Sequence, residues 1–416
     1  MSDPLRIMHF ADTHFGVENY GKLDIATGIH SRLLDFRRSL GRAVELALQA
    51  GIDYALFAGD AFHLQAPRPT EQREFADALR PLLEAGVPIV LVTGNHDMPT
   101  ARGRAASVDI YRALRVPGVT VADAPAVYTL QCPRGPLKVA ALPYMSSSLA
   151  HADDVGTIRQ RQHAAAALYR KALGNLAVEV GDPKECPVVL VGHLLVEGAT
   201  LSPWQHGSST HYLEPTLTVN ELQQGPWDYV ALGHLHRYQV LSLGSAPPVV
   251  YCGSVDRIDI AEAGESRGFV LAEVSRGRAI HRFVDVDVCR PMCQLEIKAV
   301  GDNPTKAVLD ELVTRDWNGV IVRLILACEH GRRGVVDEAR VRSALASAQD
   351  ISIVYQSLTP ETTTDMVTIK PSDVRAQLES YLSRPDLRSR KQVLLQTAEP
   401  LLQQVMAEPD EKEMTQ

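Results

Sequence analysis

Hydrophobic positions in the first part of the chain fall into two alternating kinds of run. Short, nearly unbroken apolar stretches at residues 5–11, 53–58 and 87–92 are bounded by turn residues, as strands buried on both faces require. Between them, residues 32–50 and 70–85 place apolar side chains every three or four positions. In the second of these, Phe75, Leu79, Leu82 and Leu83 make the inward stripe of a helix. Further strands are predicted at 137–142, 188–191, 229–232, 249–252 and 268–274, and an Ala-rich helix at 158–173. The alternation predicts a layered α/β domain over residues 1–285.

The pattern then changes. Residues 284–288 alternate Val and Asp before Arg290 and Pro291 interrupt them. Strand, helix, strand, helix, strand follow at 294–298, 305–313, 319–328, 337–346 and 351–357, which predicts a separate α+β module over 291–358. Residues 359–371 are polar and read as a linker. From 372 to 408 the chain reads as helices, with Leu387, Leu394, Ala398, Leu401 and Val405 at heptad-like spacing. Pro400 is expected to kink or split the last of them, and residues 409–416 read as disordered.

The length of 416 residues suits two or three domains of on the order of 100–200 residues each. A hydrophobic content of 45% with 22% charged residues is that of a globular protein with a sizeable core. The net charge of −8 argues against binding nucleic acid through bulk positive charge. Residues 285–360 hold nine Lys or Arg against eleven Asp or Glu, so the second module is not a basic block either. Arg102, Arg104, Arg112 and Arg115 cluster, and Arg332-Arg333 sit in a predicted turn; both groups fit solvated faces as well as phosphate contacts. The six cysteines are scattered, with only Cys289 and Cys293 close, and read as reduced thiols. No apolar run approaches the roughly 18–20 residues that span a bilayer. The start of the chain lacks a signal-peptide pattern, so a cytoplasmic location is expected.

Chemistry gathers where the strands end. Asp12 and His14 follow the first strand, and in extended chain residues two apart point to one side. His234 and His236 repeat that spacing later. Asp60 follows Gly59 after the second strand and reads as a carboxylate whose two oxygens serve two ions. Asn95 and His193 add an amide oxygen and another imidazole. Glycines before Asp60, Asn95, His193 and His234 let the backbone turn where ligands converge. Nitrogen and oxygen donors without thiolate suit manganese, iron or zinc. Two metal ions sharing a carboxylate are equipment for in-line hydrolysis of phosphate esters.

The series Asp12-Thr13-His14, Gly59-Asp60, Gly94-Asn95-His96-Asp97, Gly192-His193 and Gly233-His234-Leu235-His236 resembles the signature of the calcineurin-like metallophosphoesterases. Within them, Gly59-Asp60-Ala61-Phe62-His63, Gly253-Ser254-Val255-Asp256-Arg257 and the two-part extension are similar to the nuclease subunits of SbcC–SbcD-type DNA repair complexes. The resemblance implies an αββα sandwich with a small α+β capping domain over 291–358 and C-terminal helices. It implies one divalent metal ion, normally manganese, on Asp12, His14, Asp60 and His236, and a second on Asp60, Asn95, His193 and His234. His96 is then the non-ligand catalytic residue that protonates the leaving oxygen, a task suited to an imidazole. Asp97 would orient His96, and His63 either helps position DNA or is a plain loop histidine. A homodimer is implied through 70–85 and 104–115, where Val108, Tyr111 and Leu114 supply either an apolar seam or ordinary core.

Two readings of function stay open. In one, the chain is a double-strand exonuclease and single-strand endonuclease for DNA, with helices 372–408 docking an SbcC-like ATPase. In the other, it hydrolyses phosphoesters of nucleotides or phosphoproteins. A non-catalytic scaffold is disfavoured by the complete set of candidate ligands.

Overall fold

The computed structural model describes residues 3–98, 104–145, 158–182, 184, 186–206, 214–242, 247–329, 334–358, 378–379, 382 and 391–406. The chain opens with β1 (Leu5–Phe10), α1 (Ser31–Gln49), β2 (Tyr54–Ala58), α2 (Pro69–Glu84), β3 (Ile89–Val92), α3 (Asp109–Ala113) and β4 (Val119–Ala122). Next come β5 (Ala126–Cys132), β6 (Gly135–Leu142), α4 (Ile158–Val180), β7 (Val188–His193), β8 (Leu195–Val196), α5 (Pro203–His206) and β9 (Thr216–Leu217). Then follow α6 (Val219–Gln223), β10 (Tyr229–Gly233), β11 (Gln239–Val240), β12 (Val249–Tyr251), β13 (Gly268–Ser275) and β14 (Arg278–Asp285). The remainder holds β15 (Met292–Lys298), α7 (Pro304–Leu312), β16 (Ile321–Cys328), α8 (Glu338–Ala344), β17 (Asp350–Ser357) and α9 (Lys391–Met406).

Two six-stranded sheets, β14-β13-β1-β2-β3-β4 and β11-β12-β10-β7-β6-β5, form the centre. Ile7, Tyr54, Leu56, Val90, Val139, Val189, Ala231 and Val270 make the dry layer between them. Phe36 and Leu40 of α1 and Phe75 and Leu82 of α2 cover the outer face of the first sheet. Tyr169, Leu173 and Leu176 of α4 cover the second. Strands buried on both faces explain the unbroken apolar runs, and the layers are the expected αββα sandwich. No described helix is long and apolar enough to cross a membrane.

The chain divides into two compact units, Met1–Leu326 with Gly334–Val354, and Ala327–Arg333 with Tyr355–Gln416. In the first, α7 packs on β15 and α8, beside the sheet β15-β16-β17. Of the second, α9 is the principal described element. It runs through Pro400 as one helix, so the expected split does not occur.

Several expectations need correcting. β4 and β5 are absent from the sequence reading because half-buried edge positions blur the apolar signal. The edge strand β14 (Arg278–Asp285) is likewise absent from the sequence reading; its alternating exposure includes Arg278 and Arg282. α4 continues to Val180, carried by Leu176 and Val180. Val108 is 1% exposed in the core and Tyr111 packs on it, so neither is free for a seam between copies; Leu114 alone of the three is exposed. Arg112 is bound bidentately by Asp123 at 2.6 and 2.8 Å, which removes it from a free basic cluster. Arg102, Arg332, Arg333, the linker 359–371 and residues 409–416 lie outside the described residues.

Candidate metal centre

Every proposed ligand sits at the carboxyl end of a strand that runs parallel to its neighbour. β1, β2 and β3 are parallel in one sheet, and β7 and β10 in the other, so their ends share one edge of the sandwich. Within the first sheet Asp12 N donates to Gly59 O at 2.9 Å, and the two sheets are stitched by His234 N, which donates to both Asp12 carboxylate oxygens at 3.0 Å. Asp12, His14, Asp60 and His234 have φ of 52°, 42°, 61° and 94°, the left-handed region that non-glycine residues rarely enter. Four strained positions on four candidate ligands mark a site held in place by its surroundings. The extended-chain argument for Asp12 and His14 therefore fails, although both do reach the same site.

Asp60 Oδ2 is the hub. His14 Nε2 lies 3.6 Å from it on one side and His193 Nε2 3.4 Å on the other. His14 Nε2 also faces His236 Nε2 at 3.1 Å, and Asp12, His14 and His236 bring donor atoms within 4.8 Å of one another. On the far side, His193 Nε2 is 2.9 Å from Asn95 Oδ1 and 3.2 Å from His234 Nδ1, which is 3.1 Å from Asn95 Oδ1. Imidazole nitrogens facing each other at such distances repel unless a proton or a cation lies between them. Metal bonds of ~2.1 Å at tetrahedral or octahedral angles put neighbouring donors ~3.0–3.4 Å apart, so the spacing fits a cation on each side of Asp60. Asp60 differs from expectation in one respect. A single oxygen faces both sides, while Oδ1 accepts the His96 backbone N–H at 2.9 Å.

Three of the four histidines have a partner on the outward ring nitrogen, which fixes which nitrogen points inward, whereas His14 Nδ1 is buried without a hydrogen-bond partner among the described residues. His193 Nδ1 donates to Ala58 O at 2.7 Å and His236 Nδ1 to Glu262 Oε1 at 3.1 Å, and His234 Nε2 stands 2.6 Å from Glu214 Oε2. Gln205 donates to His234 O at 2.7 Å and accepts from His236 N at 3.2 Å, and Trp204 stacks on His236 at 5.3 Å. Sequence reasoning missed Glu262, Gln205, Trp204 and Glu214. None of them ends a strand of either central sheet, and no spacing ties them to the histidines.

Two glycines act by absence of a side chain. A Cβ on Gly94 would stand 2.1 Å from Asp60 Oδ1, and one on Gly59 would stand 2.3 Å from His193 Nδ1. At Gly94 the need is close approach rather than a sharp turn.

Burial pushes Asp12 up to about 8. Burial would raise Asp60 too, but His193, His96 and His14 outweigh it and hold this carboxyl well below its ordinary range. Asp60 in turn overrides burial at His193 and lifts it to about 9, while burial lowers His14 and His236. In the absence of a cation these shifts keep a proton on Asp12 and on His193; divalent cations would supply that positive charge instead. Glu262 is buried as well, yet Arg267 at 3.0 Å and His236 bring it down to about 2.

The non-ligand residues depart from expectation. Asp97 does not hold the His96 ring: its carboxylate accepts from the backbone N–H groups of Asp60, Ala61 and Gly94 at 2.8 to 3.3 Å and from Ser107 Oγ at 3.0 Å. It organises the loops that carry Asp60 and Asn95. The carbonyl of His63 orients His96 instead, accepting from Nδ1 at 2.7 Å. His63 stacks on His96 at 5.6 Å, and the His96 ring stands edge-on to His14 at 4.8 Å.

This edge-of-sandwich cluster of His and Asp donors suits divalent metal ions, as in a metal-dependent phosphoesterase. The calcineurin-like phosphoesterase family model matches residues 5–238, and the chain belongs to that family. More particularly, it is similar to the SbcD component of the SbcCD nuclease of Escherichia coli (strain K12), with 27% identity over 70% of this chain and 71% of the relative. It is also similar to the DNA double-strand break repair protein Mre11 of Aeropyrum pernix, with 25% identity over 71% of this chain and 64% of that one. Among solved structures, a dimetal phosphatase from Danio rerio aligns at 13% identity and a TM-score of 0.37, over 68% of this chain and all of that one.

Two predictions follow from this geometry. Gly94→Ala should displace Asp60 and weaken both metal positions together, by about tenfold or more in calorimetric titration; one position left at full affinity would contradict the shared hub. In metal-free protein, Glu262→Gln should lose about 3 kcal/mol of unfolding free energy at neutral pH. Because the folded value of about 2 lies below the ordinary 4.5, that stabilisation is complete above 4.5 and lost as pH falls toward 2. The deficit in urea unfolding should therefore shrink across that window, and a constant deficit would contradict it.

Proposed function

We propose that this chain is a metal-dependent DNA nuclease acting in DNA end processing and repair. The observation that carries the reading is Asp60 Oδ2 facing donor groups on both sides, with His96 beside them. Similarity to nucleases of the SbcCD and Mre11 kind supports DNA as the substrate. Asp12, His14, Asp60 and His236 would hold one ion, and Asp60, Asn95, His193 and His234 the other, with manganese as the proposed metal. When bound, such a pair supplies Lewis acidity toward a phosphodiester and lowers the pKa of the attacking water.

The chain's own groups do the rest. His96 gives Nδ1–H to the His63 carbonyl, which leaves Nε2 to carry a proton to the leaving oxygen. His63, stacked against it, borders the path of the strand. Asp97 keeps the loops of Asp60 and Asn95 in register. In this reading the protein degrades duplex ends and cuts single strands internally, residues 291–358 cap the DNA site, and residues 372–408 dock an SbcC-like ATPase. A homodimer belongs to the same reading; Ile110 and Leu114, 47% and 69% exposed, are the apolar groups α3 leaves for it. The second reading is hydrolysis of nucleotide or phosphoprotein esters; the net charge of −8 keeps it open by counting against DNA binding through bulk positive charge.

Digestion of end-labelled duplex DNA beside bis-p-nitrophenyl phosphate, with and without manganese, separates the two. The nuclease reading expects metal-dependent cleavage of both, with DNA binding that weakens steeply as salt rises. Cleavage of the small ester alone would favour the second reading. His96→Ala should keep both ions and lose hydrolysis by about a hundredfold or more; full activity in that variant would refute its role.

A further inference from the structure

One 3-10 turn, Ile260–Glu262, serves two neighbours at once. Glu262 reaches the metal centre, where it accepts from His236 Nδ1 at 3.1 Å. Ile260, 1% exposed, points the other way and packs with Met292 of β15, Ile321 of β16 and Tyr20. Asp259 caps the turn by accepting from Ala261 N at 2.9 Å. The other oxygen of Asp259 accepts from the Tyr20 hydroxyl. Arg323 of β16 donates to that hydroxyl at 2.7 Å, lies over the Tyr20 ring at 5.6 Å and stands 3.9 Å from Asp259. Tyr20 has φ of 62°, a conformation that a bulky residue keeps only when its surroundings hold it. The contacts thus run without a gap from β16 through Arg323, Tyr20, Asp259 and the turn to Glu262 and His236.

We propose that Arg323, Tyr20 and Asp259 form a latch through which the β15–β17 sheet sets the orientation of His236. They are positioning residues. With the latch open, Asp259 loses the partners that steady it as the turn's cap, and Glu262, although still bound by Arg267 and Ser202, is held less closely in register with the ring nitrogen. The expected cost is a weaker ion at the position that uses His236, with the other position unaffected. The inference rests on the reading of His236 as a metal ligand.

Stepwise Mn2+ titration of the full chain, followed by electron paramagnetic resonance of the free ion, resolves the two positions. Tyr20→Phe keeps the ring and removes the hydroxyl, and Arg323→Ala removes the guanidinium. Each is expected to weaken one position by about tenfold and leave the other within about twofold, as loss of a ligand's orienting partner does. The double variant is expected to be no worse than the more severe single one, because both act on one chain of contacts. Arg323→Lys is expected to restore part of the loss, since it returns a donor beside Tyr20. Equal weakening of both positions, which a merely structural role or a failing fold produces, overturns the latch, and so does unchanged binding. His236→Ala is the reference and should abolish the same position. If it abolishes one position while the latch variants bind both ions normally, the latch alone fails. If it leaves both positions intact, His236 is no ligand and the reading and the latch fail together.

Discussion

One carboxylate oxygen organises this molecule. Asp60 Oδ2 faces His14 on one side and His193 on the other, and those two residues come from different sheets. A shared oxygen tolerates little error, because moving it toward one ion moves it away from the other. The surroundings answer that demand. Asp60 Oδ1 is fixed by the His96 backbone, the Asp60 backbone N–H is fixed by Asp97, and the absent side chain at Gly94 leaves room for the carboxylate.

The sandwich exists in a form that serves this oxygen. Parallel strands deliver their carboxyl ends to one edge in both sheets, and the backbone leaves the strands through left-handed residues that are themselves candidate ligands. Such conformations cost on the order of 1–3 kcal/mol each, which the buried layer between the sheets must offset. The same edge gathers buried carboxylates whose charge, without a cation, is met by protons on Asp12 and His193, so folding prepares a place that divalent cations can take over.

Much of this was legible in the sequence because it follows periodicity and strand ends. Strands buried on both faces read as unbroken apolar runs, and α1 and α2 begin and end within one residue of the expected positions. The candidate ligands stood directly after those runs. Less visible was everything that depends on tertiary contact. Glu262, Gln205 and Trp204 reach the site across the fold from a 3-10 turn and a short helix, with no periodic signal of their own. The role expected of Asp97 was misread for a similar reason. Adjacency in sequence suggested that it holds the His96 ring, whereas the turn directs its carboxylate into three backbone N–H groups and gives that ring to the His63 carbonyl. Edge strands such as β5 and β14 were faint because half of each faces outward.

The central claim is that a single oxygen of Asp60 joins two metal positions, each built from residues of both sheets. Anomalous diffraction from manganese-soaked crystals measures it directly. The account predicts two peaks about 3.5–4 Å apart, both within bonding distance of Asp60 Oδ2, one beside His14 and His236 and the other beside His193 and His234. A single peak, or two peaks that do not share that oxygen, would contradict it.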